Sequence, residues 1–145
     1  MYKLLLFTLL VLMTLAGCSN SGAYDSTEAI KRGDITFSPK GVHSLDRFEQ
    51  FLNNVSTNKE DAVRVTSYTI EGDPIFEDLQ YDGEKIQYSY DNSNDAFGGN
   101  DKGIDSDVCT EIISKVNEQG KEEYYITGCS QNTDYVLLEI PEAKK

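Results

Sequence analysis

From Ala62 onward the apolar residues tend to fall at alternate positions, the period of a half-buried β-strand. Val63 and Val65 alternate with polar neighbours, and Tyr68 and Ile70 lead into the turn Glu71-Gly72-Asp73-Pro74. Ile75, Leu79 and Tyr81 continue the alternation up to Asp82-Gly83, a dipeptide typical of two-residue hairpins. Folding the chain about that dipeptide pairs Tyr81 with Glu84, Leu79 with Ile86, Glu77 with Tyr88 and Ile75 with Tyr90. One side of the ribbon then collects Ile75, Leu79, Tyr81, Ile86, Tyr88 and Tyr90; the other collects Asp78, Gln80, Lys85, Gln87, Ser89 and Asp91. This is the sorting of a sheet with one buried and one wetted face. Glu77 and Glu84 intrude on the apolar side, and Phe76 falls on the wet one. A loop rich in Asn, Asp, Ser and Gly spans Asp91 to Asp107. A second meander follows, with strands Val108–Val116, Lys121–Cys129 and Tyr135–Ile140, and Gly120 suits the left-handed position of a bulged turn after Asn117.

Before Ala62 the period changes. Leu45, Phe48, Phe51, Leu52 and Val55 share one helical face, which predicts a main helix from Leu45 to Val55 with Ser44 as its N-cap. A shorter helix is predicted over Asp25–Gly33. Asp25 or Ser26 caps it, Glu28 sits early, Lys31 and Arg32 sit late, and Gly33 occupies C′. A brief extended piece, Ile35 to Phe37, ends at Pro39-Lys40-Gly41. The expected fold is α+β: an antiparallel sheet of about five or six strands, built as two meanders, with the main helix on its apolar face.

The first residues follow another logic. Lys3 precedes an apolar run from Leu4 to Leu15, too short for the roughly 20 residues of a membrane span. Leu15-Ala16-Gly17-Cys18 reads as a bacterial lipobox, which makes residues 1–17 a lipoprotein signal peptide and Cys18 a lipidated N-terminus. Two or more acyl chains, palmitate among them, anchor a protein stably where a single chain does not. Residues 18–24, with Ser19-Asn20-Ser21-Gly22-Ala23 at their centre, form a flexible tether, and residues 25–145 a single domain. The expected location is extracytoplasmic, on the cell membrane.

The chain holds 13 Lys and Arg against 25 Asp and Glu. Removing the signal removes Lys3, so 12 minus 25 leaves −13. Such a surface disfavours nucleic acid and anionic membrane as ligands and permits cationic partners, though such charge most often only confers solubility. With the domain expected on the cell exterior, an envelope protein or glycan is the expected partner.

Two cysteines remain after Cys18. Continuing the register set by Gly120 along both strands puts Cys109 opposite Cys129, which predicts a cross-strand disulfide suited to an oxidising compartment. There is no CxxC, and the one histidine, His43, lies just ahead of the main helix with no nucleophile motif beside it. GxGxxG, GxxxxGK[ST] and HExxH are also missing, which weighs against nucleotide enzymes and common metallohydrolases.

Carboxylates remain as candidate chemistry. Asp73, Glu77 and Asp78 are the acids of a conceivable carboxylate-dependent envelope hydrolase. Asp91-Asn92-Ser93-Asn94-Asp95 resembles the opening of an EF-hand loop, but Ala96 replaces the turn glycine and Lys102 the bidentate glutamate. Asp91, Asp95, Asp101 and Asp105, with Asp107 close by, are therefore candidates only for a weak, irregular Ca²⁺ site. Phe97-Gly98-Gly99 within the loop suggests an aromatic packed back onto the domain. Seven of the nine tyrosines (68, 81, 88, 90, 124, 125 and 135) lie on predicted strands, where packing explains them. No catalytic residue is assigned, and the leading expectation is a binding or interaction module.

The blocks Tyr68-Thr69-Ile70-Glu71-Gly72-Asp73-Pro74-Ile75, Tyr81-Asp82-Gly83, Tyr88-Ser89-Tyr90-Asp91-Asn92 and Phe97-Gly98-Gly99 resemble an uncharacterised family of small lipoproteins from spore-forming Gram-positive bacteria. Arg32-Gly33-Asp34 and the Cys109/Cys129 pair are similar too, and the resemblance extends from about Ile30 to Ile140. It implies a lipid-anchored domain on the outer face of the cytoplasmic membrane and transfers no activity onto any residue.

Overall fold

The structure is a computed structural model that describes residues 24–38 and 41–140. The signal segment, Cys18 and the tether up to residue 23 lie outside the described residues. Helix α1 spans Ser26–Arg32, strand β1 Ile35–Ser38, strand β2 Gly41–His43 and helix α2 Leu45–Ser56. Seven strands follow: β3 Asp61–Tyr68, β4 Pro74–Tyr81, β5 Ile86–Asp91, β6 Ile104–Cys109, β7 Glu111–Val116, β8 Glu122–Thr127 and β9 Tyr135–Ile140. No helix among the described residues is long and apolar enough to cross a membrane.

The strands form two sheets, a six-stranded one ordered β2-β1-β3-β4-β5-β6 and a three-stranded one ordered β7-β8-β9. This corrects the single antiparallel sheet expected from the sequence. The larger sheet is mixed, because β1 lies parallel to β3, with Ile35 opposite Val65 and Thr36 opposite Thr66. The chain reaches β3 from β1 only after β2 and α2, and a crossover of this kind is what parallel neighbours require.

The expected strand Val108–Val116 is divided between the sheets. Its first residues belong to β6 and pair with β5; its last form β7 and pair with β8. The ladder breaks at the exposed Thr110. The Asn/Asp-rich loop is also shorter than expected, because β6 begins at Ile104 and the loop ends at Gly103 rather than Asp107. Gly128 faces this corner with φ of 64°, and a Cβ there would lie 2.2 Å from Thr110 Oγ1. Only glycine meets both demands without local rearrangement.

Between β4 and β5 the predicted register is shifted by two residues. Tyr81 pairs with Ile86, Leu79 with Tyr88 and Glu77 with Tyr90. The cause is Asp82, whose Oδ1 accepts the Glu84 and Lys85 amides at 2.9 and 2.7 Å and closes a four-residue turn. An even shift preserves the facing of every side chain. The sorted ribbon therefore survives, and Glu84 leaves the ladder for solvent.

The core lies between the apolar face of the larger sheet, α2 and the smaller sheet. Ile35, Phe48, Phe51, Val65, Leu79, Ile86, Ile126, Leu137 and Leu138 are buried there. Phe48 on α2 meets Tyr124 on β8 edge-on at 5.1 Å. Arg47 adds a polar clamp, donating to Asp61 Oδ2 at 3.0 Å and to the Ala62 carbonyl at 2.7 Å, while Asn54 donates to Asp61 at 2.8 Å. Ser44 holds the N-cap position of α2, yet its φ is 58° and its side chain makes no capping bond. The chain turns sharply there from β2 into the helix. Asp25, in contrast, caps α1 as expected through the Glu28 amide, and Gly33 closes that helix with φ of 89°.

Candidate functional site

The polar face of the larger sheet is built by strand alternation, three side-chain rows deep. Arg64, Asp78, Ser89 and Ser106 lie side by side across β3, β4, β5 and β6. Ala62, Gln80, Gln87 and Val108 form the row on one side, and Thr66, Phe76, Asp91 and Ile104 the row on the other. At the β3 end, α1 and Tyr24 rise above the sheet. The result is a groove of 770 Å³ whose lining includes Tyr24, Arg32, Asp34, Arg64, Gln87 and Ser106. The volume falls within the range of small-ligand sites.

The charged groups of the groove are largely spent on one another. Arg64 donates from Nε and Nη2 to the two Asp78 oxygens, both at 2.7 Å. Its guanidinium also lies over the Phe76 ring at 4.7 Å. The Asp78 carboxylate holds the Arg64 guanidinium well above its ordinary pKa, although burial opposes this. Asp34 accepts the Tyr24 hydroxyl at 2.5 Å and the Thr66 hydroxyl at 2.6 Å. Tyr24 in turn meets Phe76 edge-on at 4.9 Å, and Arg32 covers its other side at 5.3 Å while pairing with Glu28. Burial, and then Asp34, raises the Tyr24 pKa. Nearby, burial pushes Tyr68 up to about 12. Among the described residues its hydroxyl, like that of Thr36, finds no hydrogen-bond partner. Among the described residues the side chains of Gln80, Gln87, Ser89 and Ser106 have no hydrogen-bond partner, so these amides and hydroxyls are what the groove offers a ligand.

Tyr24 lies at the end of the expected tether, yet it packs as a wall of this groove. An aromatic directly before the N-cap is the place of a hydrophobic staple, the one signal in the sequence that points to such packing. The role of α1 was not legible, because nothing local says which face of the sheet a two-turn helix covers.

The sequence-predicted acids are dispersed. Asp78 lines the groove, but Glu77 is its neighbour along the strand and points into the core, 8% exposed. There the Tyr88 hydroxyl donates to its Oε2 at 2.7 Å, and burial pushes its pKa up to about 7 against the pull of that bond. Asp73 receives the Ala96 amide at 2.8 Å, which joins the β3–β4 turn to the loop after β5. Asp91 caps Ser93 and Asp95 caps Phe97, each at its backbone amide. Asp101 and Asp105 are exposed. Among the described residues, Asp91, Asp95, Asp101 and Asp105 do not assemble into a group of three within ligand reach of one another. Phe97 does not pack back onto the domain; it is 76% exposed.

The group that does assemble is Asp107 with Cys109 and Cys129. Here the two sulfurs are joined in the disulfide predicted from the β7–β8 register. Asp107 accepts the Ser130 hydroxyl at 2.6 Å, the Ser130 amide at 3.0 Å and the Tyr135 hydroxyl at 3.1 Å. The Ser130 hydroxyl is the foremost cause holding its pKa below the usual carboxylate range. Asp107 thus ties β6 to the segment between β8 and β9.

Residues 32–125 match a protein family described as a domain of unknown function, DUF4362. No curated protein and no solved structure matches the chain.

Proposed function

Because the chain belongs to the DUF4362 family, which brings no known activity with it, we propose a function from the geometry: a lipid-anchored, extracytoplasmic binding module. Its ligand is a polar, hydroxyl-rich molecule of the cell envelope, of the glycan class. The observation that carries this reading is the groove across the polar sheet face. A surface meant only for solvation has no need of a wall made by Tyr24 and α1. Arg64–Asp78 and Arg32–Glu28 already pair their charges internally, and Asp34 is occupied by the Tyr24 and Thr66 hydroxyls. A strongly charged ligand would have to break those pairs, whereas a neutral hydroxylated one meets the free ends of Gln80, Gln87, Ser89 and Ser106. The anchor is read from Leu15-Ala16-Gly17-Cys18, which stands just ahead of the groove wall.

The test is a titration of the chain from residue 19 onward with soluble cell-wall glycan fragments, followed by amide chemical shifts. Shifts confined to Arg64, Gln80, Gln87, Ser89 and Ser106 are expected. The double change Gln87→Ala and Ser89→Ala is expected to weaken binding about tenfold, in keeping with the loss of two or more hydrogen bonds at a ligand, with no change in thermal midpoint. Shifts that avoid the groove, or a double variant that binds as well as the parent, would overturn the proposal.

A further inference from the structure

The end of the larger sheet where β3 turns into β4 and β5 passes into β6 presents apolar side chains to solvent. Ile70 is 102% exposed, Phe97 76% and Ile104 66%. Elsewhere the exposed large hydrophobics stand apart on other elements, as Val116 on β7 and Val136 on β9 do. The two connections at this end are pinned rather than loose. Asp73 accepts the Ala96 amide, and Asp95 accepts the Phe97 amide at 2.8 Å. Gly103 donates to Asn92 Oδ1 at 2.7 Å, and Lys102 Nζ to the Asp95 carbonyl at 3.1 Å. These bonds fix the backbone on both sides of Phe97. The Asp73–Ala96 bond brings the turn that carries Ile70 beside the loop that carries Phe97, and exposed apolar groups gathered at one end of a sheet mark contact surfaces more often than they mark accident.

The charge around them says what kind of surface comes to rest there. Glu71, Asp73, Asp91, Asp95, Asp101 and Asp105 lie in the same two segments as the three apolar residues, 69–73 and 91–105, where Lys102 is the one basic residue. Among the described residues none of these six carboxylates takes part in an ion pair. An anionic bilayer is repelled by such a rim before Phe97 reaches it, and a second copy of this chain brings the same negative end. A basic surface gains from every carboxylate.

We propose that this end of the sheet is a docking surface for a basic, amphipathic segment of a partner protein, with Ile70, Phe97 and Ile104 seated between its apolar side chains and the acidic rim facing its lysines or arginines. The surface adjoins the polar face at Ile104, but none of Ile70, Phe97 and Ile104 lines the groove, so either assignment stands without the other.

Three synthetic peptides test it against the chain from residue 19 onward: one alternating lysine and leucine, one lysine and serine, one glutamate and leucine. Vesicles of phosphatidylcholine with phosphatidylglycerol form the fourth arm. The lysine–leucine peptide is expected to shift amides of residues 69–73 and 92–105. Ile70→Ser with Phe97→Ser is expected to weaken it about tenfold, as loss of interface anchors does. Val116→Ser with Val136→Ser is expected to leave it unchanged. Equal binding of the lysine–serine peptide, shifts spread over the whole acidic surface, or a preference for vesicles over every peptide would overturn the proposal. Both double variants alter exposed side chains, and an unchanged melting midpoint confirms that any loss of binding is local.

Discussion

Phe76, Glu77 and Asp78 are consecutive on β4 and meet three different environments. Phe76 interrupts the polar pattern because it is the platform on which Tyr24 and Arg64 rest. Glu77 interrupts the apolar pattern and is held in the core by Tyr88. Neither misfit is an error of register. Glu77 also sets a measurable pH dependence. Its pKa is about 7 in the fold against 4.5 for an ordinary glutamate. The raised value means that folding favours the protonated carboxyl. Its contribution is fully present below about pH 4.5 and is lost as pH rises through 7. Above that range ionising it in the core costs about 3 kcal/mol, the free-energy equivalent of the shift. Glu77→Gln keeps an acceptor for the Tyr88 hydroxyl and carries no charge. The variant is expected to be more stable than the parent at pH 8 by about that amount, with the advantage fading to nothing near pH 4. Denaturant unfolding of both proteins at several pH values checks it; an advantage that does not vary with pH would contradict it. The sequence placed Glu77 on the apolar side directly opposite Tyr88; the two-residue shift sets it opposite Tyr90 instead, with Tyr88 one diagonal step away and still within hydrogen-bond reach.

At the scale of elements, the β7–β8 hairpin was the most legible part of the chain. Gly120, with φ of 78°, and the Asn117–Lys121 bond fixed its register, and the disulfide followed. The β4–β5 hairpin was less so, because a side-chain cap from Asp82 competes with the two-residue turn that Asp-Gly favours. Least legible was the passage from β6 to β7, where one apolar run serves two sheets and nothing in its alternation marks the corner at Thr110. The disulfide spans that corner. Replacing both Cys109 and Cys129 by alanine is expected to lower stability by about 3 kcal/mol, the chain-entropy value for a loop of this size. A guanidinium titration of the oxidised parent against the double variant measures it. Equal midpoints would show that the Asp107 bonds to Ser130 and Tyr135 hold the corner alone.

Across the whole molecule, the groove and the pinned acidic end both lie close to where the chain enters the fold. Tyr24 packs on Phe76, and the row containing Phe76 ends at Ile104. Cys18 stands six residues before Tyr24, and a fully extended stretch of that length reaches about 20 Å at most. Lipidation at Cys18 would thus keep Tyr24, the wall of the groove, within that distance of the bilayer. Cys18→Ser is expected to abolish labelling by a palmitate analogue and to move the protein from the membrane fraction to the soluble one. Unchanged retention would rule the anchor out. By itself the sequence determined which residues face inward on the β4–β5 ribbon, where the two helices lie and which cysteines meet, since periodicity, caps and turns act over a few residues. Only the tertiary structure decided that the strands divide into two sheets, that β1 joins β3 in parallel, and that Tyr24 and α1 wall a groove on the polar face. Those choices depend on which surfaces of distant segments pack best together, and no local pattern encodes that.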